Sequence, residues 1–294
     1  MRLGAFETAG PLPELREPHA FAMLEPWIDA GDVGTLTLTW LENHTQAAPL
    51  AELAKPGSFF DFTRYRPLIY QNHGERQYSI PNTRITYGRQ ESGPDFLFLH
   101  LLEPHMLGEL YVDSVVKVLE HFGVRRYSLI GSMYNFVPHT RPLIVSGGSP
   151  SEPLQRELGK LGISESKYQG PTSICALISQ KAAGWGAENA TMIVNLPQYT
   201  QLEEDYMGAL RLQEIIAALY GIPVSEETMN RARRQREQIN AAVVDNTQVQ
   251  EILEQLEETY DQRANKKEED EEPPTLSPQV EEFLREMERR FRRE

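Results

Sequence analysis

Between residues 20 and 222 the sequence alternates short apolar runs with longer amphipathic stretches. A short apolar run is typical of a buried strand, and a longer amphipathic stretch is typical of a helix. Alternation of the two over this length predicts an α/β fold, in which helices cover a largely parallel sheet. The predicted strands are His19–Leu24, Phe96–Leu101, Tyr127–Gly131, Leu143–Val145 and Thr191–Leu196.

The stretches between these runs predict the helices. One begins at Val33 with Asp32 as its N-cap, because an aspartate before a periodic apolar stretch accepts hydrogen bonds from the first free N–H groups. Gly147-Gly148-Ser149-Pro150 predicts a turn into a helix that ends near Gly162. The remaining predicted helices are Met106–Phe122, Ser173–Ala183 and Glu203–Tyr220.

Three short runs between residues 67 and 87 are separated by turn signals. Asn72-His73-Gly74 and Pro81-Asn82 are typical turn sequences. The short spacing of Pro67–Tyr70, Tyr78–Ile80 and Arg84–Tyr87 predicts an antiparallel hairpin inserted into the sheet.

The character of the sequence changes after an α/β core of residues 1–222. Residues 223–260 predict a charged helical arm, and the acidic, proline-containing residues 261–276 predict a mobile linker. Residues 277–294 predict an amphipathic helix with Ser277 as its cap. Its apolar stripe predicts docking on its own or a sister subunit, with capture of a different protein as the alternative. The stripe comprises Val280, Phe283, Leu284, Met287 and Phe291.

The charge and composition of the chain exclude several classes of function. A net charge of −14 argues against nucleic-acid binding, which depends on clustered Lys and Arg. No apolar run is long enough to span a membrane, and the first 16 residues do not resemble a signal peptide. Cys175 is the single cysteine, so no intramolecular disulfide can form. We therefore expect a soluble cytoplasmic protein.

The sequence Pro138-His139-Thr140-Arg141-Pro142 places an imidazole and a guanidinium in a loop braced by two prolines. The loop follows a predicted strand, so His139 and Arg141 are candidates for binding an anion or a carboxylate. The alternative is a fixed structural loop. In that case Arg141 pairs with an acid such as Asp29 or Asp61, and His139 bonds to a carbonyl.

Other candidate binding residues lie in loops that follow predicted strands or precede predicted helices. Asp29 and Asp32 lie where backbone N–H groups could hold an anion, although a turn and a cap explain them as well. Tyr168 and Gly170 lie in a predicted turn, and Tyr199 follows the last strand. These three also have a structural explanation, as turn residues and half-buried packing.

Cofactor sites are not apparent in the sequence. His100, Glu103 and His105 form a short cluster, but a zinc site needs a further ligand and a defined geometry. The sequence also lacks a Gly-rich phosphate loop and the flanking pattern of a serine nucleophile. We therefore expect no metal and no cofactor, and enzymatic activity is not favoured.

Five short motifs occur in a fixed order along the core. Together they resemble the family of proteasome assembly chaperone 2, with its bacterial and archaeal relatives, from about residue 20 to 222. The motifs are Pro26-Trp27-Ile28-Asp29-Ala30-Gly31, Phe59-Phe60-Asp61-Phe62 with Arg66-Pro67, the 138–142 loop, Tyr168-Gln169-Gly170-Pro171-Thr172, and Pro197-Gln198-Tyr199.

The resemblance implies a three-layer α/β/α sandwich similar to purine nucleoside phosphorylases. In eukaryotic and archaeal members this fold binds proteasome subunits during assembly, and some bacterial members are labelled ATP-grasp ligases. This chain departs from the family in two places. It ends Phe291-Arg292-Arg293-Glu294 instead of in a hydrophobic-tyrosine-any tail, and it has Gln198 where many relatives have His.

Two functions follow from the sequence. The first is a non-catalytic, self-associating platform for protein binding or assembly, forming a homo-oligomer that could be a trimer or larger. The second is an enzyme or sensor for a small molecule, with His139, Arg141, Asp29 and Tyr168 around a pocket at the strand ends.

Overall fold

The fold is built on one large mixed sheet, seen in a computed structural model that describes residues 1–72, 74–166, 168–244 and 246–265. The elements occur in the following order: β1 (Arg2–Leu3), β2 (Phe6–Thr8), β3 (His19–Glu25), α1 (Val33–Thr45), β4 (Ala48–Leu53), β5 (Leu68–Asn72), β6 (Glu75–Ser79), β7 (Arg84–Gly88), β8 (Phe96–Leu102), α2 (Gly108–His121), β9 (Arg126–Asn135), β10 (Val145–Gly148), α3 (Glu152–Lys160), β11 (Ile163–Glu165), α4 (Ile174–Ala183), β12 (Glu188–Pro197), α5 (Tyr206–Tyr220), α6 (Glu226–Val244) and α7 (Thr247–Asn265).

Within the described residues the large sheet has the strand order β1-β2-β4-β7-β8-β3-β9-β12-β10-β11. Its centre, β8-β3-β9-β12, is parallel, whereas β10 runs antiparallel to β12. On the other side β7, β4, β2 and β1 continue the sheet through antiparallel pairs. The prediction of a largely parallel sheet is therefore wrong outside the centre, where β10 and β11 form the one parallel pair among the described strands. Short connections explain the antiparallel pairs β1–β2 and β7–β8, because a crossover helix does not fit between them.

The centre of the sheet is buried on both faces. Ala20, Phe21, Ala22, Met23 and Leu24 on β3 have no solvent exposure, although successive side chains point to opposite faces. A strand covered by helices on both sides must be apolar at every position, which explains its continuous apolar run.

Two helical layers cover this sheet. Helices α2 and α4 pack on one face, where Tyr111, Val115 and Ile178 join the core. Helices α1, α3 and α5 pack on the opposite face through residues that include Leu38, Leu158 and Ile216. The structure confirms the expected three-layer α/β/α architecture.

Strands β5 and β6 form a separate two-stranded antiparallel sheet, which we call the ribbon (residues 68–79). The prediction of a hairpin inserted into the main sheet is wrong for these two strands. Only the third predicted strand, β7, joins the main sheet, between β4 and β8. Nine of the ten residues of β5 and β6 are exposed, so no core contact holds the ribbon against the main sheet.

The glycine pair predicted to form a turn lies instead inside β10. A Cβ atom built on Gly147 would lie 1.9 Å from the carbonyl oxygen of Thr191 on β12, so only glycine allows the two backbones to approach this closely. The predicted strand Leu143–Val145 is accordingly displaced toward the glycines.

Helices α6 and α7 form the described part of the C-terminal extension. Helix α6 packs along α5, and α7 places Ile252 and Leu256 against Phe136 and Tyr199 at the strand-end loops. Helix α7 continues to Asn265, so the prediction of a linker that begins at residue 261 is wrong at its start. The rest of that linker and the predicted helix 277–294, with Phe283, Leu284, Met287 and Phe291, lie outside the described residues. None of the helices in the described ranges is long and apolar enough to cross a membrane.

Candidate functional site

His139 lies in the loop that follows β9, and it is buried at 2% exposure. Its Nε2 atom lies 2.9 Å from Oδ1 of Asn240 on α6, an acceptor, so Nε2 donates. The hydroxyl of Tyr199 accepts the backbone N–H of His139 at 2.8 Å and lies 2.6 Å from Nδ1, to which it can donate. Every polar atom of the imidazole is thus occupied by protein groups.

Burial, opposed in part by the bond to Asn240, lowers the pKa of His139 below its ordinary value. The neutral imidazole is therefore the form that the fold favours. An imidazole held neutral between two hydrogen-bond partners serves as a structural connection between the strand-end loop, Tyr199 and α6.

Arg141 pairs with the acidic face of α7. Its Nε and Nη2 atoms donate to the two carboxylate oxygens of Asp261 at 2.9 and 2.7 Å, and Nη1 lies 3.4 Å from Glu257. The neighbouring Thr140 hydroxyl also donates to Glu257. The prediction that Arg141 would pair with Asp29 or Asp61 is wrong about the partner, and the carbonyl to which His139 bonds belongs to the Asn240 side chain.

The C-terminal helices α6 and α7 therefore dock on the loop of residues 138–142. Tyr260 donates its hydroxyl to the carbonyl of Pro142 at 3.0 Å, and Arg236 donates to the carbonyl of Thr140 at 3.0 Å. Close by, His139, Pro197 and Asp205 line a space of about 10 Å³, which is room for one water molecule at most. An anion site on His139, Arg141 and Tyr199 stays a prediction, and it requires α6 and α7 to move away.

Asp29 is the capping residue of α1. Its carboxylate accepts from the backbone N–H of Gly34 at 2.6 Å and of Thr35 at 3.3 Å, and from the Thr35 hydroxyl at 2.7 Å. Asp32 makes no side-chain cap bond, and its φ of 51° is left-handed. The prediction that Asp32 caps this helix is therefore wrong. Burial raises the pKa of Asp29 to about 6, although these hydrogen bonds oppose the shift.

The loops after β3 and β12 pack tightly on each other and on β9. The backbone N–H of Asp205 donates to Gly31 at 2.7 Å, and Ser132 donates its hydroxyl to Ala30 at 2.5 Å. A Cβ atom on Gly131 would lie 2.1 Å from the carbonyl oxygen of Ile28, so glycine is required where the first loop crosses β9. The loop around Asp29 thus makes structural contacts throughout.

Tyr168 and Gly170 lie in a surface loop between β11 and α4. Tyr168 is 67% exposed, and its hydroxyl donates to the carbonyl of Pro171 at 2.9 Å. These local contacts do not join the pair to His139 or Arg141, so the structure does not assemble the pocket that the sequence suggested.

Sequence reasoning missed the partners of the 138–142 loop. Asn240, Glu257 and Asp261 lie about a hundred positions later in the chain. One signal was available, because Glu257 and Asp261 are four residues apart and so share one face of a helix. Nothing in the local sequence shows which arginine this acidic face contacts.

The His and Glu cluster around residues 100–105 is divided in the structure. His100 lies 3.0 Å from Glu42 on α1, whereas Nδ1 of His105 accepts the backbone N–H of Asp61 at 3.2 Å. In the described ranges of the chain, no group of three His, Cys, Asp or Glu side chains could hold a metal ion.

The ribbon carries large apolar side chains that are exposed to solvent. Leu68, Ile69 and Tyr70 on β5 are 66%, 61% and 47% exposed, and Tyr78 on β6 is 63% exposed. Ile80, directly after β6, is 53% exposed. Ile69 and Tyr78 are cross-strand partners, so they share one face, while Leu68 and Tyr70 share the other.

Fold and site together define a three-layer α/β/α protein whose strand-end loops hold a C-terminal helical pair and whose ribbon presents apolar side chains to solvent. The model of the PAC2 family matches residues 23–243, and this chain belongs to that family. The match includes α6 as well as the three layers.

Solved structures of relatives have the same fold. A Mycobacterium tuberculosis protein of unknown function, Rv2714, is 25% identical with a TM-score of 0.77, and the alignment covers 89% of this chain and 92% of that one. The proteasome-assembly chaperone homologue Rv2125 of M. tuberculosis is 24% identical with a TM-score of 0.70, over 80% and 99% of the two chains.

A more distant relative is PbaA of Pyrococcus furiosus, an archaeal homologue of proteasome-assembly chaperone. It is 17% identical with a TM-score of 0.57, over 88% of this chain and 98% of that one. No functionally curated protein matches the sequence.

Proposed function

We propose that this protein is a non-catalytic, assembly-chaperone-like platform that binds other proteins and associates with copies of itself in the cytoplasm. Membership of the PAC2 family and the chaperone homologues among its structural relatives support the role in protein binding. His139 and Arg141, which could otherwise suggest an enzyme, already bond to Asn240 and Asp261. These contacts favour a structural role for both residues.

The observation that carries the proposal is the exposed apolar surface of the ribbon. A two-stranded hairpin is marginally stable in water unless it packs against something else. In the described chain β5 and β6 make extensive contacts only with each other. A patch of this kind is typical of a surface that another protein covers.

The ribbon has enough apolar surface to contribute substantially to association. Burying one large aliphatic or aromatic side chain contributes roughly 1.5–3 kcal/mol before entropy is deducted. Arg66 and Arg76 lie at the two ends of β5–β6 and are exposed. In a chain of net charge −14, a second copy offers an acidic surface that complements these arginines.

Analytical ultracentrifugation of the full chain tests this function. The double variant Ile69→Asp with Tyr78→Asp places two charges on one face of the ribbon, so we expect a lower oligomer mass with unchanged secondary structure by circular dichroism. The matched control is Leu110→Asp, because Leu110 on α2 is 50% exposed but distant in sequence from the ribbon. A monomeric wild type, or a ribbon variant of unchanged mass, would contradict self-association through the ribbon.

The apolar stripe of residues 277–294 belongs to the same proposal. Phe283, Leu284, Met287 and Phe291 supply a docking surface for the same subunit, a sister subunit or another protein. We expect Phe283→Asp with Leu284→Asp to lower the oligomer mass or abolish partner binding while the α/β core stays folded. Unchanged mass together with unchanged partners would exclude this role.

A further inference from the structure

An open cleft lies between the ribbon and the carboxyl ends of β3 and β8. These strands are parallel neighbours, but the helices that follow them diverge. Helix α1 follows β3 onto one face of the sheet, whereas α2 follows β8 onto the opposite face. The divergence opens a crevice between the two strand ends, and crevices at such topological switch points are where open α/β sheets bind ligands.

The cleft has the size and the apolar wall of a small-molecule site. Its volume is about 870 Å³, within the range of roughly 300–1,000 Å³ found for ligand pockets. Leu68 and Tyr78 of the ribbon and Ile80 directly after it contribute apolar side chains to the lining, and Leu102 and Tyr65 line the cleft near the end of β8. Leu68, Tyr78 and Ile80 are exposed, so an apolar ligand would remove them from water.

Charged side chains of both signs line the same cleft. Glu52 on β4, Arg84 on β7 and His100 on β8 are successive cross-strand partners, so they form one row on the sheet surface. Glu25 at the end of β3 and Arg66 before the ribbon complete the charged lining. The cleft thus has two carboxylates, two guanidinium groups and an imidazole fixed by Glu42.

These opposite charges lie in one cleft without neutralising each other by contact. In the part of the chain that the structure describes, no salt bridge within 4.0 Å involves Arg66, Arg84, Glu25 or Glu52. Burial raises the pKa of Glu25 despite the opposing effects of His100 and Arg84. Glu25 has a side-chain hydrogen-bond interaction with Thr35, so what these groups lack is an oppositely charged group in direct contact, which a ligand with charges of its own would supply.

We propose that this cleft binds a small apolar zwitterion of the dipeptide type, with Arg66 and Arg84 holding its carboxylate and Glu25 holding its ammonium group. A guanidinium group is well matched to a carboxylate, which it can bind through two parallel hydrogen bonds. A simple anion would be repelled by Glu25 and Glu52, and a simple cation by the two arginines. The inference does not rest on the proposed assembly function.

Isothermal titration calorimetry with three matched probes tests each charge separately. The probes are the dipeptide Leu-Phe, N-acetyl-Leu-Phe without the ammonium group, and Leu-Phe amide without the carboxylate. We expect Leu-Phe to bind at least about 10-fold more tightly than either blocked form, since a hydrogen bond between charged groups contributes that much.

Variants of the cleft test which side chains bind the carboxylate and which bind the ammonium group of the dipeptide. Arg66→Ala with Arg84→Ala should weaken Leu-Phe about 10-fold but leave Leu-Phe amide unchanged, and Glu25→Gln should weaken Leu-Phe but not N-acetyl-Leu-Phe. The matched control is Arg76→Ala, because Arg76 is an exposed arginine of the ribbon that does not line the cleft.

Three outcomes would overturn the inference. They are no binding of Leu-Phe to the wild type, equal binding of all three probes, and unchanged Leu-Phe binding by both cleft variants. Because Glu25→Gln keeps the shape of the side chain, it tests the site even where the double arginine variant does not fold.

Discussion

The difference between Asp29 and Asp32 shows how local backbone geometry decides the role of a residue. Both aspartates lie shortly before α1, and the sequence alone favours Asp32, which is adjacent to it. The structure gives the capping role to Asp29, because its carboxylate reaches the N–H groups of Gly34 and Thr35 while Asp32 is left-handed. A pattern of residue types cannot supply that φ angle.

Asp29→Ala should destabilise the protein, and Asp32→Asn, which keeps a residue type that tolerates a left-handed φ, should not. Loss of a helix cap costs about 1–2 kcal/mol, and Asp29 also holds the Thr35 hydroxyl. We expect a measurable fall in the thermal midpoint for Asp29→Ala, and for Asp32→Asn a midpoint close to that of the wild type. Equal losses in the two variants would contradict the assignment of the cap.

His139 and Arg141 illustrate what the sequence could predict about the candidate site. Their pairing in a loop between two prolines predicted either an anion site or a fixed structural loop, and the contacts to Asn240 and Asp261 are those of a fixed loop. Their partners could not be predicted, because Asn240 and Asp261 lie 101 and 120 positions away. Contacts between residues so far apart in the sequence depend on where α6 and α7 pack in the tertiary structure. The local periodicity of the sequence does not predict that packing.

At the scale of elements, we expect Arg141→Ala to loosen α7. The variant removes the donors of both carboxylate contacts to Asp261, so amides of residues 247–262 should exchange hydrogen several-fold faster by mass spectrometry. Arg234→Ala is the control, since Arg234 is an exposed arginine on α6. Equal exchange in the two variants would show that the 138–142 loop does not hold α7.

The elements that the sequence predicted well are those with strong periodicity. The buried strands β3 and β8 and the helices α2 and α5 follow directly from continuous or amphipathic apolar patterns. Strand β4 was missed because Pro49 occurs within it, and β10 was displaced because Gly147 and Gly148 are typical turn residues. Sheet contacts override local preference at both positions.

For the whole molecule, the partly buried His19 and the buried Asp29 change stability in opposite directions as pH changes. Burial, with Arg126, lowers the pKa of His19 to about 4, so its contribution to stability is lost as pH falls from about 6.5. Burial raises the pKa of Asp29 to about 6, so stability is lost as pH rises from about 3.9 toward that value. The two effects partly cancel between about pH 4 and 6.

Replacing His19 or Asp29 should leave the effect of the other group on the pH dependence of stability. His19→Gln should lose less stability than the wild type between about pH 6.5 and 4.5, and Asp29→Asn should lose more. Urea unfolding midpoints at the two pH values measure both losses. A His19→Gln variant as acid-sensitive as the wild type would show that this imidazole is not held neutral by the fold.

The three-layer architecture of the whole molecule was accessible because five motifs in order resembled one family, and the family match confirms it. The position of the ribbon could not be predicted from these motifs. Its strands have the alternation and turn residues of an ordinary hairpin, and the local sequence does not show that β5 and β6 lie outside the main sheet. The surface that carries the proposed function therefore became visible only with the tertiary structure.

Photo-crosslinking from the ribbon tests the central claim most directly. A photoreactive benzoylphenylalanine in place of Tyr78, compared with the same group in place of Leu110, reports which surface another protein covers. We expect a covalent dimer of this chain from position 78 and none from position 110. An assembled protein that crosslinks from position 110 and not from position 78 would contradict the account.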